Sequence, residues 1–249
     1  VSLRRRLSVA LTAEDLAGAR VETAAVAVID VLRATSTLVQ AFASGAAEAV
    51  PAATPEAARR LRGTSGDALL CGERNRVRIP GFDLGNSPLE FTPERVAGKR
   101  LILATTNGSR TLLGVARAPL AVAAAFVNAG AAAARLLAAD RDVLLACSGD
   151  SGRPCPEDTL LAGCLLARLR EGDPGARPEG PGAAAALALW DASGGRVAPF
   201  LAGTPAGGDL VRLGLEGDLA FCAAVDRLAA VPELRPGTAT VLPGRSGIR

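Results

Sequence analysis

Short runs of β-forming residues alternate with helical patterns through most of this chain. That alternation restricts it to the α/β class, with a parallel or mixed sheet layered between helices. The strand candidates are residues 24–31, 68–71, 100–104, 120–124 and 142–147. Leu38, Val39 and Phe42 share one face of a helix starting near Thr35, and Leu160, Leu161, Cys164, Leu165 and Leu169 do the same for one starting near Pro156. A third stripe runs through Phe221, Cys222, Val225, Leu228 and Ala229. At 249 residues, 49% of them hydrophobic, there is material for one large domain or two small ones. We read residues 1–249 as a single unit. The Gly/Pro/charge-rich stretch 172–182 is taken as a flexible loop and candidate lobe boundary, which allows a two-lobed form with the site between the lobes. Residues 72–93 also lack periodicity, and loops of that length inside compact domains are more often functional than idle.

The chain has no histidine, which removes the Ser-His-Asp triad, the Cys-His pair, phosphohistidine chemistry and any His-ligated metal site. Carboxylates, arginines, hydroxyls, thiols and backbone amides are left to carry any reaction. Aromatic residues make up 3% of the chain and tyrosine is absent, so no stacking platform for single-stranded nucleic acid is expected. The 28 basic residues, all arginine except Lys99, are offset by 25 carboxylates, and no basic footprint for DNA emerges. Five cysteines without a CxxC pair suit a reducing compartment, where they are read as buried thiols. The apolar stretch after Arg4-Arg5-Arg6 ends at Thr12 and is too short for a signal peptide. The alanine-rich run 118–134 is broken by Pro119 and Asn128 and does not read as a membrane span. A cytoplasmic location is the resulting expectation.

Three hydrophobic strands run into unusual polar clusters, and ligands in open α/β sheets bind beyond the carboxyl ends of the strands. In Asp30-Val31-Leu32-Arg33-Ala34-Thr35-Ser36-Thr37, a carboxylate able to hold Mg²⁺ or attack phosphorus precedes an arginine able to grip phosphate. The same residues also suit an Asp30–Arg33 pair and a simple helix cap. In Thr105-Thr106-Asn107-Gly108-Ser109, hydroxyls and the amides of a helix start favour an anion, although capping alone also accounts for these residue types. In Cys147-Ser148-Gly149-Asp150-Ser151-Gly152-Arg153, the spacing matches the Cys-x5-Arg loop of thiol-dependent phosphatases, but a strand end with a buried thiol is equally consistent with it. The long loop adds Gly72-Glu73-Arg74-Asn75 and Gly81-Phe82-Asp83-Leu84-Gly85-Asn86-Ser87-Pro88. Asp83, Asn86 and Ser87 also fit an Asx-type turn network.

Taken in order, these strings, together with Glu157-Asp158, Leu213-Gly214 and Asp218-Leu219, resemble the 2-phosphosulfolactate phosphatase family from about residue 24 to about residue 232. The resemblance implies an α/β fold and a Mg²⁺-dependent phosphatase that converts 2-phospho-3-sulfolactate to 3-sulfolactate and phosphate, a step of coenzyme M biosynthesis. One segment departs from the family pattern. Where relatives commonly read Ser-Ser-His-Gly-Arg-His-Leu, this chain has Thr204-Pro205-Ala206-Gly207-Gly208-Asp209-Leu210, with Ala206 and Asp209 at the histidine positions.

Residues and resemblance together give a Mg²⁺-dependent phosphomonoester hydrolase acting on a small anionic phosphoester. A catalytically impaired anion-binding homologue is the alternative. Asp30 is the first candidate for metal ligand or nucleophile, with Glu73 and Asp83 as further ligands. Arg33 and the turn Thr105, Thr106, Asn107 and Gly108 would stabilise the phosphoryl charge, aided by Thr35 and Ser36. Arg74, Ser148 and Gly149 would receive the carboxylate or sulfonate. Asp30-Val31-Leu32 lacks the second aspartate of an Asp-x-Asp signature, which favours metal-activated water over an aspartyl phosphate. No nucleic-acid or membrane partner is expected, and self-association is left open.

Overall fold

The computed structural model describes residues 4–244. Eleven strands follow in chain order: β1 (Arg6–Ala10), β2 (Ala25–Ile29), β3 (Glu48–Pro51), β4 (Leu69–Arg74), β5 (Val77–Arg78), β6 (Arg100–Ala104), β7 (Leu120–Ala124), β8 (Val143–Cys147), β9 (Arg177–Glu179), β10 (Glu233–Leu234) and β11 (Val241–Leu242). The helices between them are α1 (Ala34–Ala43), α2 (Pro55–Ser65), α3 (Pro93–Val96), α4 (Gly108–Gly114), α5 (Ala129–Leu137), α6 (Pro156–Gly172), α7 (Gly180–Ser193), α8 (Val197–Ala202), α9 (Pro205–Arg212) and α10 (Glu216–Cys222). The α/β class expected from the sequence is the one observed.

Sheet order is β5-β4-β6-β3-β11-β10-β7-β2-β8-β1-β9. It contains two parallel blocks, β4-β6-β3 and β7-β2-β8-β1-β9, bridged by the antiparallel hairpin β10–β11. Period-two alternation sorts each strand between cores. Ala25, Ala27 and Ile29 of β2 pack with α5 and α6, whereas Val26 and Val28 join a second core with Leu38 and Phe42 of α1 and Leu112 of α4. Leu101 and Leu103 of β6 enter that second core from the other block, while Leu70, Ile102 and Ala104 turn away to meet Ala58 of α2. Helices α1 and α4 therefore pack into a core shared by both blocks, and their N-termini follow directly from β2 and β6.

The stretch 172–182 is not a free linker. It holds the end of α6, the edge strand β9 paired with β1, and the start of α7. Two close approaches explain why glycine is needed in the tightest packing. A Cβ on Gly163 would lie 2.1 Å from the Ala186 carbonyl oxygen where α6 meets α7, and one on Gly72, at φ +148°, would lie 2.1 Å from the Ala104 carbonyl oxygen where β4 meets β6. The C-terminal stripe is shorter than its apolar pattern suggests: α10 ends at Cys222, so Val225, Leu228 and Ala229 follow it as irregular chain. No described helix is long and apolar enough to cross a membrane.

Candidate active site

Asp30 leaves the end of β2 and turns back on the start of α1, where Oδ1 accepts the Ala34 N–H at 3.1 Å. Helix α4 begins against it. A Cβ on Gly108 would sit 2.6 Å from the Ala34 Cβ and 2.7 Å from Asp30 Oδ2, so only glycine lets the two helix starts close on the carboxylate. Burial raises the Asp30 carboxyl to about 6; the nearby charges of Glu73 and Glu157 add to the rise, while the Ala34 and Gly108 amides oppose it. Asp158 and Glu157, from the first turn of α6, are also buried and raised, chiefly by desolvation and then, for Asp158, by Asp30 and Glu157. Asp158 accepts the Val31 N–H at 2.8 Å and the Gly149 N–H at 3.3 Å, tying the ends of β2 and β8 together.

Beside Asp30 lies a cavity of about 280 Å³. Asp30, Leu32 and Arg33 line it from the turn between β2 and α1, Glu73, Asn75 and Arg76 from the β4–β5 hairpin, and Thr105, Thr106 and Asn107 from the β6–α4 turn. Asn86, Asp150 and Ser151 complete the wall. Larger cavities beside Arg6 and Asp142, and beside Leu16 and Arg117, gather none of the polar strand-end motifs.

Every charged group in the wall is held by a partner. Arg33 donates to Asp218 Oδ2 at 2.6 Å and to the Arg76 carbonyl at 2.7 Å, and Ser87 Oγ donates to the other Asp218 oxygen at 2.5 Å. The alternative of an Asp30–Arg33 pair is not what forms: Arg33 is instead in a buried pair with Asp218, reaching in from α10. Glu73 accepts the Thr106 N–H and the Arg76 N–H, both at 2.8 Å, which fixes two turns around the cavity. Asn86 is held through its carbonyl by Thr37 Oγ1 at 2.8 Å, while its side-chain Oδ1 is buried without a partner.

Several residues expected in the site work beside it. Thr35 Oγ1 bonds the Asp30 carbonyl and amide, and Ser36 Oγ donates to the Val31 carbonyl at 2.8 Å, so both hydroxyls brace the Asp30 turn. Thr105 lines the cavity but spends its Oγ1 on the Ser109 N–H in the first turn of α4. Arg74 points away and donates to the Glu73, Ala104 and Ala53 carbonyls. Asp83 is absent from the cavity wall, its Oδ2 accepting the Leu70 N–H at 2.8 Å and Arg62 at 2.9 Å. Ser148 and Gly149 lie behind the wall, Ser148 with a buried, unpartnered hydroxyl. Cys147 is fully buried and its thiol is driven well above its usual range by desolvation, so the Cys-x5-Arg spacing does not mark a thiolate nucleophile. The sequence reading did not single out Asn75, Arg76, Asn86, Asp150 and Ser151 as site residues, nor Asp218 as the partner of Arg33.

Comparison with known proteins agrees with these motifs. A family model described as 2-phosphosulpholactate phosphatase matches residues 10–237. Proteins named probable 2-phosphosulfolactate phosphatase are similar over most of the chain. One from Thermotoga petrophila is 39% identical over 217 residues, covering 87% of this chain and 92% of its own. One from Symbiobacterium thermophilum is 39% identical over 232 residues (92% and 97%), and one from Gloeobacter violaceus is 43% identical over 207 residues (82% and 85%).

Proposed function

The chain belongs to the 2-phosphosulfolactate phosphatase family of hydrolases, and from that membership we propose that it hydrolyses 2-phospho-3-sulfolactate, or a closely related phosphoester, to the alcohol and inorganic phosphate with Mg²⁺ as cofactor. The observation that carries this reading is the buried Asp30 carboxylate, enclosed by two helix starts at the wall of a polar cavity that also holds Arg33.

Among the described residues no three or more acidic or thiol side chains are grouped as a ready-made metal cage. Mg²⁺ does not require one, since it is commonly bound through one or two carboxylates, with waters and substrate phosphate completing its shell. Two features suit it: Asp30, raised chiefly by burial, also lies near the Glu73 and Glu157 charges, whose repulsion a cation would relieve, and the Asn86 Oδ1 acceptor on the same wall is unpartnered. Asp30 and Asn86 are therefore the residues we place on the metal. Bound there, Mg²⁺ would supply charge neutralisation at the phosphoryl oxygens and Lewis-acid activation of the attacking water. Both Glu73 oxygens are engaged by amides, and we assign it to holding the Arg76 and Thr106 turns rather than to first contact with the metal. Arg33, clamped by Asp218, presents a fixed positive charge to the phosphoryl group as charge builds on its oxygens. Water ends on phosphorus, and the ester oxygen leaves with a proton as the alcohol.

The test is phosphate release from 2-phosphosulfolactate and a panel of small phosphoesters, with Mg²⁺, with EDTA and with Asp30→Asn. Metal-dependent release abolished by Asp30→Asn supports the reading. Ligand binding without release by folded protein favours the anion-binding homologue, to which Ala206 and Asp209 at the family's histidine positions would point. Trapping with a phosphate-mimicking fluoride separates the two routes, because a labelled Asp30 peptide would replace metal-activated water with an aspartyl phosphate.

A further inference from the structure

We infer that Arg76 is the residue that recognises the second anionic group of the phosphoester, its carboxylate or sulfonate, with Asp209 as the counter-ion that holds Arg76 until that group arrives. This rests on the phosphatase reading for the identity of the ester, but on separate residues.

Asn75 and Arg76 form the two-residue turn of the β4–β5 hairpin, with φ of 53° and 65°. Such turns need a left-handed backbone at both positions and favour glycine at the second. Arginine there is strained where glycine would not be, so the side chain is the reason to look for a role. Its backbone is locked at both ends, the N–H on Glu73 Oε2 and the carbonyl under Arg33. From this fixed origin the guanidinium reaches the cavity wall, with Nη1 3.0 Å from Asp209 Oδ2 and Nη2 3.9 Å from Asp150 Oδ2.

Among the described residues two arginines line the cavity, and they differ in how firmly they are held. Arg33 is 3% exposed and bound to an Asp218 that is 1% exposed, so separating them would leave a bare buried charge. Arg76 and Asp209 are 27% and 31% exposed, and a half-open pair is readily exchanged for another anion. Asp209 also has a second partner in Arg212 and is not stranded when Arg76 turns away. A phosphoester carrying a second anion enters a cavity already lined by Asp30, Glu73 and Asp150. Arg76 is the more loosely held of the two lining arginines and the one that can exchange its partner for the additional charge, and its planar fork matches a carboxylate or sulfonate.

The experiment compares 2-phosphosulfolactate with isopropyl phosphate, which lacks both extra anions, for the wild type, Arg76→Ala, Arg76→Lys and Asp209→Asn. Calorimetric binding of 3-sulfolactate, which carries no phosphate, is measured in parallel. Loss of a charge-assisted contact should raise KM for 2-phosphosulfolactate by about tenfold or more in Arg76→Ala, with kcat largely kept. Any change in KM for isopropyl phosphate should be several-fold smaller than for 2-phosphosulfolactate, Arg76→Lys should fall between, and Asp209→Asn should lower KM chiefly for 2-phosphosulfolactate. The same ordering should appear in 3-sulfolactate affinity whether or not the protein turns over. An equal effect on both esters, or 3-sulfolactate affinity indifferent to Arg76→Ala, overturns the assignment. Absence of hydrolysis with Arg76-dependent 3-sulfolactate binding would overturn the phosphatase reading and leave this one standing.

Discussion

Replacing Asp30 by asparagine should abolish metal-dependent turnover and at the same time stabilise the metal-free protein, by an amount that grows with pH. A carboxyl held at about 6 in the folded state, against 3.8 when unfolded, binds its proton more tightly in the native protein. Its contribution is therefore intact below pH 3.8 and is lost as pH rises through 6. A rise of roughly two pH units corresponds to about 3 kcal/mol of destabilisation above pH 7, of which roughly 1.5 kcal/mol is already present at pH 5. Asparagine keeps the acceptor for the Ala34 N–H without the charge, and loss of the weaker contact to the Gly108 amide takes back about 1 kcal/mol. The net gain for Asp30→Asn at pH 8 is then about 2 kcal/mol, rising by roughly 1.5 kcal/mol between pH 5 and pH 8. Asp158 feels the Asp30 charge and titrates more easily without it, which acts in the same direction. Urea denaturation of both proteins in EDTA at pH 5 and pH 8 reads the difference directly. A variant no more stable than wild type at pH 8, or a gap that does not widen with pH, would refute the claim that burial of this charge strains the fold. Added Mg²⁺ should narrow the gap by stabilising the wild type alone.

Asp218→Asn leaves Arg33 charged and buried without its counter-ion; removing one member of such a pair typically costs about 3–5 kcal/mol, read as a fall in Tm, and phosphate release should drop with it. Gly108→Ala places a methyl group against Ala34 and Asp30, so we expect about 1–3 kcal/mol of destabilisation and a larger loss in kcat than any other Gly→Ala change in α4; an active, fully stable variant would contradict the close approach of the helix starts. Asp83→Asn should lower stability through Leu70 and Arg62 while leaving the Mg²⁺ concentration needed for half-maximal activity unmoved, and a shift in that midpoint would return Asp83 to the metal.

Much of the site was legible because its residues lie on short segments following strand ends. Asp30, Arg33, Glu73, Thr105, Thr106 and Asn107 all reach one wall from motifs visible in the sequence. Strand periodicity held a further signal: Glu73 and Arg74 are neighbours on β4, so with Glu73 facing the cavity Arg74 must face away, where it ties carbonyls together. Hydroxyls at a helix start were harder to assign, since Thr35, Ser36 and Thr105 suit a ligand and a cap equally well, and the backbone claimed them. Arg76 was hidden in a turn whose left-handed backbone gives no warning in residue type. Strands β10 and β11 are two residues long, too short for any alternation to show, although they bridge the two parallel blocks.

Local patterns show the acids of the C-terminal half but not the partners they reach. Asp218 of α10 fixes Arg33, Asp209 of α9 holds Arg76, and Asp158 of α6 ties the ends of β2 and β8. With Asp30, Glu73 and Asp150 on the wall and the charge of Arg33 balanced overall by Asp218, the cavity offers a polyanion little net positive charge. On the reading proposed above, phosphoester and divalent cation must then favour each other's binding, because each relieves repulsion the other would meet alone. On the same reading, Asp30 near the phosphoryl end and Arg76 at the hairpin turn would divide that task, one through a metal and one through an exchangeable ion pair. Such a division lets the chemistry stay with the phosphate while selectivity is set by the anion farther along the molecule.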